Sequence, residues 1–445
     1  MSSKLTRRHL LQSIGTLSTA ALLPTMVMAN PLTTADVVIV GAGASGLSAA
    51  RTLLSNGISV LLLEATDKIG GRAMTNHDIF GVPYDLGASW LHNGTDNPYL
   101  AYGRKAGFSI YQAPDAQSVY VGNAPATPEQ TRDLEALYKD AGRTLATAGI
   151  FGRDVSIAEV LGNTLQNKTW GPVVASAIGP WEMGRNLDQI SVQDWWNQQG
   201  GDDFLCKEGY GALVQHFGRN IPVQLNTWVE HIDWRGDGVK IETNQGSIRA
   251  KKVILTVSTG VLAAEKIRFT PALPVEKQTS FHQLKMSSYN HIALQFEGGL
   301  PEFNADHYLH GDFSTDETIG WVTNMRGTNL NFGFVGGRFS EALEHAGINE
   351  AVQVGLSDLE RMLGHDIRKR FKKGFFTTWS FYQNTLGSYA VATPGHHGAR
   401  DVLRRTIADR IYFAGEACGG EYATTVNGAH LSGENTARDV LRDLS

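Results

Sequence analysis

An apolar run that ends in a glycine-rich turn constrains this chain most. Three consecutive segments define it: DVVIV (residues 36–40), GAGASG (41–46) and LSAARTLL (47–54). They predict a strand, a tight turn and a helix, which together begin a β-α-β unit. We expect Gly41 to permit the turn, Gly43 to admit a pyrophosphate and Gly46 to let the helix pack on the strand.

A second apolar run favours a dinucleotide site over a merely glycine-rich turn. Residues 57–63 (GISVLLL) predict a second strand, and Glu64 follows it about 20 residues beyond the turn. In a dinucleotide-binding unit an acid at this place holds a ribose hydroxyl. Glu64 is therefore a candidate ligand for the cofactor.

The next segments favour a flavin over a nicotinamide. Residues 67–72 (DKIGGR) and 84–90 (YDLGASW) resemble the second and third cofactor segments of the flavin-dependent amine oxidases, a family that includes monoamine oxidases, polyamine oxidases and histone lysine demethylases. The resemblance implies FAD, with small residues along the flavin and Arg72 as a cation near the phosphates. The contacts implied in this part of the chain are Gly41, Gly43, Ala44, Ser45, Gly46, Glu64, Ala65, Gly71, Arg72, Gly87, Ala88, Ser89 and Trp90.

The last part of the chain resembles the closing flavin motif of the same family. Residues 410–416 (RIYFAGE) predict a strand that ends in Gly415 and Glu416, and residues 421–429 (EYATTVNGA) lead into a helix at 430–441. Glu416 is expected to bind hydroxyls on the ribityl or phosphate side. The helix N-terminus at Thr425 and Val426 is expected to stabilise negative charge on the reduced ring. Val229 fits the family's valine beside the adenine, although any apolar strand residue would look the same.

The resemblance covers nearly all of residues 35–443 and implies the fold. We expect an α/β protein with a Rossmann-like FAD-binding domain and an inserted α+β substrate-binding domain, the amine oxidase fold. The FAD-binding domain is predicted at residues 33–98, 202–285 and 400–443, and the substrate-binding domain at 99–201 and 286–399. Capping residues Thr127, Ser156 and Ser191 predict helix starts in the insert.

Five residues are candidates for the substrate side. His92 lies in a loop similar to that of polyamine oxidases, which implies that it faces the substrate; a loop-capping histidine is the alternative. Trp379 and Tyr389 resemble the family's aromatic pair beside the flavin, where an amine lies against the ring faces, although core packing would give the same pattern. Thr425 replaces the second aromatic of monoamine oxidases and favours a polyamine-like substrate. The fifth candidate is His291.

His291 occupies the position where many family members have a lysine that holds a water against flavin N5. Lysine helps the reduced flavin react with oxygen, whereas the charge of a histidine depends on the ambient pH. Three hypotheses therefore stay open. The first is an oxidase that uses oxygen, the second is a dehydrogenase with another electron acceptor, and the third is a catalytically weak periplasmic flavin-binding protein.

The resemblance implies a reaction as well. A hydride passes from the carbon beside a neutral amine to flavin N5, and water hydrolyses the imine to an aldehyde and a smaller amine, with hydrogen peroxide formed from oxygen. Ser388 stands where vertebrate monoamine oxidases have a flavin-linked cysteine, so FAD is expected to be bound non-covalently. Glu182, Asp194 and Glu421 could contact a distal ammonium, although a solvated or structural role is the commoner one for such acids.

The first 29 residues resemble an export signal. Arg7 and Arg8 precede a modest apolar run that ends at Ala29, a pattern typical of twin-arginine signals. An ordinary signal peptide or a membrane anchor is the alternative, although the run is short for a stable span. We therefore expect an exported bacterial protein, periplasmic or secreted, with the twin-arginine machinery as a partner.

Composition limits the other partners. The formal net charge of −5 gives no reason to expect nucleic acid. Cys206 and Cys418 are the two cysteines, and they could pair in an oxidising compartment, although two buried thiols fit their wide separation better. No spacing of cysteine and histidine suggests a metal site, so none is expected.

Overall fold

The glycine-rich turn lies at the edge of a mixed β-sheet, at the end of its central parallel strand. The structure is a computed structural model that describes residues 34–311, 315 and 317–445; the predicted export segment lies outside these residues. Strand β1 (Thr34–Val40) pairs in parallel with β2 (Val60–Leu63) on one side and with β13 (Gly246–Leu255) on the other. Helix α1 (Ala44–Ser55) follows the turn.

The β-strands of the described residues are mostly short. In chain order they are β1 (Thr34–Val40), β2 (Val60–Leu63), β3 (Thr75–Asn76), β4 (Tyr84–Asp85), β5 (Trp90–Leu91), β6 (Ile110–Gln112), β7 (Gln117–Val121), β8 (Ala124–Pro125), β9 (Phe204–Cys206), β10 (Val223–Gln224), β11 (Val229–Asp233), β12 (Val239–Thr243), β13 (Gly246–Leu255), β14 (Arg268–Thr270), β15 (Leu284–Met286), β16 (Tyr289–Phe296), β17 (His307–Gly311), β18 (Gly320–Thr323), β19 (Leu330–Gly336), β20 (Phe371–Phe376), β21 (Ala390–Ala392) and β22 (Ile411–Phe413).

The α-helices lie between these strands and after the last of them. They are α1 (Ala44–Ser55), α2 (Pro98–Lys105), α3 (Pro128–Ile150), α4 (Ile157–Leu165), α5 (Gly171–Ile178), α6 (Pro180–Met183), α7 (Val192–Trp196), α8 (Tyr210–Gly218), α9 (Thr259–Ala263), α10 (Val275–Gln283), α11 (Gly337–Ala346), α12 (Ile348–Leu363), α13 (Ile367–Arg370), α14 (Ala399–Arg404) and α15 (Val426–Leu444). Short 3₁₀ helices span Leu187–Gln189, Met325–Gly327, Trp379–Phe381, Glu416–Cys418 and Gly420–Tyr422.

The first sheet sets the position of the turn. Among the described residues its order is β10-β2-β1-β13-β12-β11-β14, and β22 also pairs with β13. The strands β10, β2, β1, β13 and β22 are parallel, and the chain leaves β1 for β2 on one side and later returns as β13 on the other. The carboxyl end of β1 is therefore a switch point, where doubly wound sheets bind their ligands.

Helices α1 and α15, the first and last helices of the described chain, pack closely against each other beside the first sheet. Gly433 in α15 lies against the backbone of Ser45 in α1, and a Cβ atom added at Gly433 would overlap the Ser45 carbonyl oxygen. Both helices contribute to one hydrophobic core, in which Leu47 and Ala437 are fully buried. Segments from the two ends of the described chain thus build one side of the switch point.

The second sheet faces the inserted helices. Its order among the described residues is β20-β16-β19-β18-β17-β7-β8. Helix α12 packs on it through buried apolar side chains such as Leu356 and Leu359, and Trp321 lies fully buried in the same core. Layers of this kind match the expected α/β fold, whereas the exact domain boundaries stay a prediction.

The three helix starts predicted in the insert are confirmed. Thr127 caps α3 with a reciprocal bond to Gln130, and the hydroxyls of Ser156 and Ser191 cap α4 and α7. The turn at Gly236–Gly238 joins β11 and β12 as an antiparallel hairpin. None of the helices in the described part of the chain is long and apolar enough to span a membrane.

Candidate active site

A cavity of about 1630 Å³ opens at the carboxyl end of β1 and extends between the second sheet and the inserted helices. It brings together the predicted site residues with one exception, since Gly46 does not line it. The residues that line it are Gly41, Gly43, Ala44, Ser45, Glu64, Ala65, Gly71, Arg72, Gly87, Ala88, Ser89, Trp90, His92, Val229, His291, Trp379, Tyr389, Gly415, Glu416, Thr425 and Val426.

The N-terminus of α1 forms one end of this cavity. Gly41 has a φ of +105°, which a glycine adopts without strain, and Gly43 begins the helix without a side-chain cap. A Cβ atom at Gly46 would overlap the carbonyl oxygen of Gly41, so this glycine permits close packing and does not contact the cavity. Ser45 Oγ is buried and has no hydrogen-bond partner among the described residues. The free N–H groups and this hydroxyl suit a phosphate.

Glu64 lies at the end of β2 beside the turn. Its carboxylate accepts hydrogen bonds from Ala42 N at 2.8 Å and from the backbone and hydroxyl of Thr66 at 2.9 and 2.8 Å. These bonds fix its orientation toward the cavity that it lines. Oε1 accepts both bonds from Thr66, whereas Oε2 accepts only that from Ala42 and keeps a further acceptor site, so the geometry fits the predicted ribose contact.

Arg72 and Glu416 connect the first cofactor segment to the last one. Arg72 donates to Glu416 at 2.9 Å and to the Ser388 carbonyl oxygen at 2.8 Å. Glu416 also accepts from the backbone N–H of Ala390 at 3.1 and 3.2 Å. Both side chains line the cavity, and this contact across the chain was absent from the sequence-based predictions.

Aromatic side chains wall the next part of the cavity. Trp379 donates to the Leu86 carbonyl oxygen at 2.9 Å, and its ring leaves no room for a Cβ atom at Gly87. Tyr389 donates to the Glu182 carbonyl oxygen at 2.9 Å and lies 5.8 Å from Tyr289, measured between ring centroids. These rings form a slot for an apolar chain with a polar end.

Ser388 and Thr425 use their hydroxyls to hold the backbone. Ser388 Oγ donates to the Tyr289 carbonyl oxygen at 2.7 Å and accepts from the Tyr289 N–H at 3.0 Å. Thr425 Oγ1 accepts from Gly428 N at 2.9 Å and so caps α15, which begins four residues earlier than expected. The N-terminus of α15 therefore points at the cavity, as the sequence predicts.

His291 lies on β16, and its side chain lines the same cavity as the aromatic slot. Its ring lies 3.9 Å from that of Phe332, and its Nδ1 is buried without a partner among the described residues. Burial lowers the pKa of His291 to about 3, the Asp85 carbonyl opposes this shift, and the Arg326 cation adds to it. Imidazole at this position is therefore neutral at ordinary pH.

A group of charged residues lines another wall of the cavity, and sequence reasoning named His92 and weighed Glu182 but missed Asp203. His92 Nδ1 lies 2.8 Å from Asp203 Oδ1, and both side chains line the cavity beside Glu182. Burial alone would lower the pKa of His92, but Asp203 and Glu182 raise it above its usual value. The carboxylate of Glu182 is accessible from the cavity but enclosed by protein, which raises its pKa to about 7 against opposing contributions from Trp195 and His92.

Comparison with known proteins identifies the family. The family model for flavin containing amine oxidoreductases matches residues 44–199 and 186–441, which is most of the chain. The chain belongs to this family. The FAD-binding Rossmann-like part and the inserted substrate-binding part are thus those of the amine oxidase fold, and the protein is an FAD-dependent amine oxidoreductase.

Individual relatives agree with this assignment. Polyamine oxidase 4 of Oryza sativa subsp. japonica is 28% identical over 92% of this chain and 89% of its own length. Lysine-specific histone demethylase 1 homolog 1 of the same plant is 27% identical, and there the chain spans about half, 52%, of the relative. A wild-type putrescine oxidase bound to putrescine superposes with a TM-score of 0.79 at 19% identity, covering 93% of this chain and all of that one.

Other acids and thiols in this amine oxidoreductase have structural roles. Asp194 is buried in an ion pair with Arg400 at 2.6 Å and is not available to an amine. Glu421 does not line the cavity, whereas Glu182 does. Cys206 and Cys418 are free and buried in separate cores. No cluster of three potential metal ligands occurs among the residues that the structure describes.

Neither Asp203, which was missed, nor Glu182, which was weighed without being chosen, has a distinguishing signal in the local sequence. Asp203 comes 111 positions after His92, and only the folded chain shows that they pair. Glu182 follows a proline and a tryptophan in the short helix α6, a setting that does not distinguish a cavity residue from a surface acid. Sequence reasoning weighed Glu182 but could not choose it over Asp194 or Glu421.

Proposed function

We propose that this protein oxidises an amine with a second basic nitrogen, as in polyamines, to an imine that water hydrolyses to an aldehyde and a smaller amine. One observation carries the proposal. The cavity joins the predicted FAD residues to an aromatic slot that ends at the Glu182 carboxylate, which lacks a cationic Lys or Arg partner within hydrogen-bond distance among the described residues. A carboxylate there attracts the second nitrogen of the substrate.

When bound along the residues described above, FAD would supply the redox chemistry: it would serve as the acceptor for a hydride from the carbon beside the amine nitrogen and would pass both electrons to oxygen, giving hydrogen peroxide. The protein binds and orients the substrate and excludes water from it. Trp379, Tyr389 and Tyr289 flank the reacting carbon and exclude water, and Glu182 fixes the distance of the second nitrogen from the slot. Because the reacting amine must be neutral, the reaction rate should rise with pH.

His291 favours a second candidate function, a dehydrogenase with an acceptor other than oxygen. A neutral imidazole brings no positive charge to the site, whereas the family lysine does. If charge at this position governs the reaction with oxygen, the reduced protein reacts slowly with air. We keep the oxidase as the leading proposal, since two of the three relatives described above, polyamine oxidase 4 and the putrescine oxidase, are oxidases by name.

Non-covalent binding of FAD and export complete the proposal. Ser388 stands where a tethering cysteine would be, and its hydroxyl is engaged with the Tyr289 backbone. Periplasmic or secreted localisation rests on the paired arginines and apolar run of residues 1–29. Precipitation of the protein with acid should release all flavin, and replacement of Arg7 and Arg8 by lysine should keep the protein in the cytoplasm.

An anaerobic experiment tests the activity. The purified yellow protein is mixed with putrescine, spermidine or an aromatic amine, and the flavin absorbance is followed before and after air is admitted. Bleaching by an amine supports the proposal, and fast recolouring in air supports the oxidase over the dehydrogenase. A flavin that no amine bleaches would leave the third hypothesis, a flavin-binding protein without turnover.

A further inference from the structure

The cavity continues past the aromatic slot into a second region that the proposed reaction does not use. We call this region the apolar arm and define it by five lining residues from three parts of the chain: Val119, Ala126, Leu134, Val173 and Ala177. Val119, Val173, Ala126 and Leu134 pack in one hydrophobic cluster, which places the segments around β7, α3 and α5 side by side.

The apolar arm is joined to the amine site at α6. His310 pairs in register with Val119, and its ring lies 5.6 Å from that of Trp181, the residue before Glu182. Trp181, Glu182 and His310 all line the same cavity. A chain that leaves the aromatic slot beyond Glu182 therefore enters the apolar arm.

Charge in the apolar arm is nearly balanced. Glu135 and Lys139 line its outer end with opposite signs, and both are exposed on α3. Burial lowers the pKa of His310 to about 4, so the ring is neutral. Glu135 is the one carboxylate besides Glu182 that lines this arm in the described part of the chain, and Lys139, one turn further along α3, offsets its charge. An ammonium group in the inner, apolar part of the arm would lose water without gaining an anionic partner, whereas methylene groups would gain by burial.

We infer that the apolar arm binds an uncharged alkyl tail of the amine, so that preferred substrates carry methyl-terminated chains where spermidine carries its third ammonium group. This inference rests on the proposed function and specifies its substrate class. The amine is then a diamine with one nitrogen in the slot, one at Glu182 and an alkyl substituent beyond it.

Isosteric substrates test the inference. N-butylputrescine has the length of spermidine, with a methyl group in place of the terminal ammonium. We expect kcat/KM to rise by up to about fourfold per methylene from N-methylputrescine to N-butylputrescine, the fold-change for burying one methylene, and to exceed that for spermidine about tenfold. A higher kcat/KM for spermidine would overturn the inference, while bleaching by putrescine would still support the proposed function.

Variants in the apolar arm test whether the dependence of kcat/KM on tail length arises there. Ala177→Trp and Ala126→Trp each fill the apolar arm from a different segment, and each should flatten the dependence of kcat/KM on tail length. Ala136→Trp on the exposed face of α3 is the matched control and should keep the full dependence. Two folded arm variants that both retain the dependence would refute the inference. The second arm variant decides the question if the first does not fold.

Discussion

Arg72 and Glu416 are 344 residues apart and share a hydrogen bond of 2.9 Å. Both side chains line the predicted FAD site, and they are 22% and 6% exposed. Replacing Glu416 by glutamine removes the charge that pairs with Arg72, so the free energy of unfolding should fall by about 2 kcal/mol. We expect the Kd for FAD to rise at least tenfold, measured from the fluorescence of released flavin. Glu434→Gln, in an exposed pair with Arg438, should change neither quantity measurably.

Two glycines in helices provide a matched pair of stability variants. In Gly46→Ala the new methyl group collides with the Gly41 carbonyl oxygen, so the helix must shift and the protein should lose about 2 kcal/mol or more. Gly142 lies in α3 with open space around its Cα, and Gly142→Ala should raise the stability by up to about 1 kcal/mol. Denaturant unfolding compares the two. Equal effects would mean that helix propensity, and not packing at the turn, determines the outcome.

Glu182 should shape the pH dependence of catalysis. With a pKa of about 7, its carboxyl group is protonated at acidic pH and gains its negative charge as the pH rises through 7. For putrescine, kcat/KM should therefore show a limb that rises near pH 7, separate from the limb that the amine's own deprotonation gives at higher pH. Glu182→Gln should remove the lower limb and reduce kcat/KM at pH 8 by about 10- to 100-fold.

A monoamine is the matched control for this pH experiment. n-Butylamine has no second nitrogen to pair with Glu182, so Glu182→Gln should alter its kcat/KM by less than about threefold. If putrescine and n-butylamine respond alike to the substitution, Glu182 does not bind the second nitrogen.

His291→Lys tests whether a positive charge on the side chain at position 291 controls the reaction of the reduced flavin with oxygen. We expect the reduced flavin to recolour at least tenfold faster in the variant, as measured by stopped-flow absorbance after the amine is consumed. Lys285→His exchanges the same residue types at an exposed position outside the cavity and should leave the rate unchanged. An unchanged rate in His291→Lys would count against our interpretation of this position.

The sequence predicts the turn at the start of the site because its determinants are local. Gly41 and Gly46 lie within one strand-turn-helix unit, and Thr127, Ser156 and Ser191 each cap a helix within three residues. In contrast, the bond between Arg72 and Glu416 depends on how β1 and β22 flank β13. No pattern within a short window encodes it.

The acidic wall of the cavity shows the same limit. His92 could be assigned from its loop, but its partner Asp203 lies in a different segment, before β9. Glu182, Asp194 and Glu421 look alike in the sequence, and only burial and pairing separate them: Asp194 is neutralised by Arg400, whereas Glu182 faces the cavity. Sequence similarity identifies the cofactor because the cofactor segments are continuous, whereas the amine site is assembled from scattered residues.

The close packing of Gly433 against Ser45 has a consequence for biosynthesis. A ribosome releases β1 and α1 early, but the wall that α15 supplies emerges only after nearly four hundred further residues have been translated. The nascent chain cannot assemble a complete flavin pocket before then. Loading of the coenzyme therefore follows the synthesis of α15, and the cell must keep the chain and free FAD in the same compartment until loading has taken place.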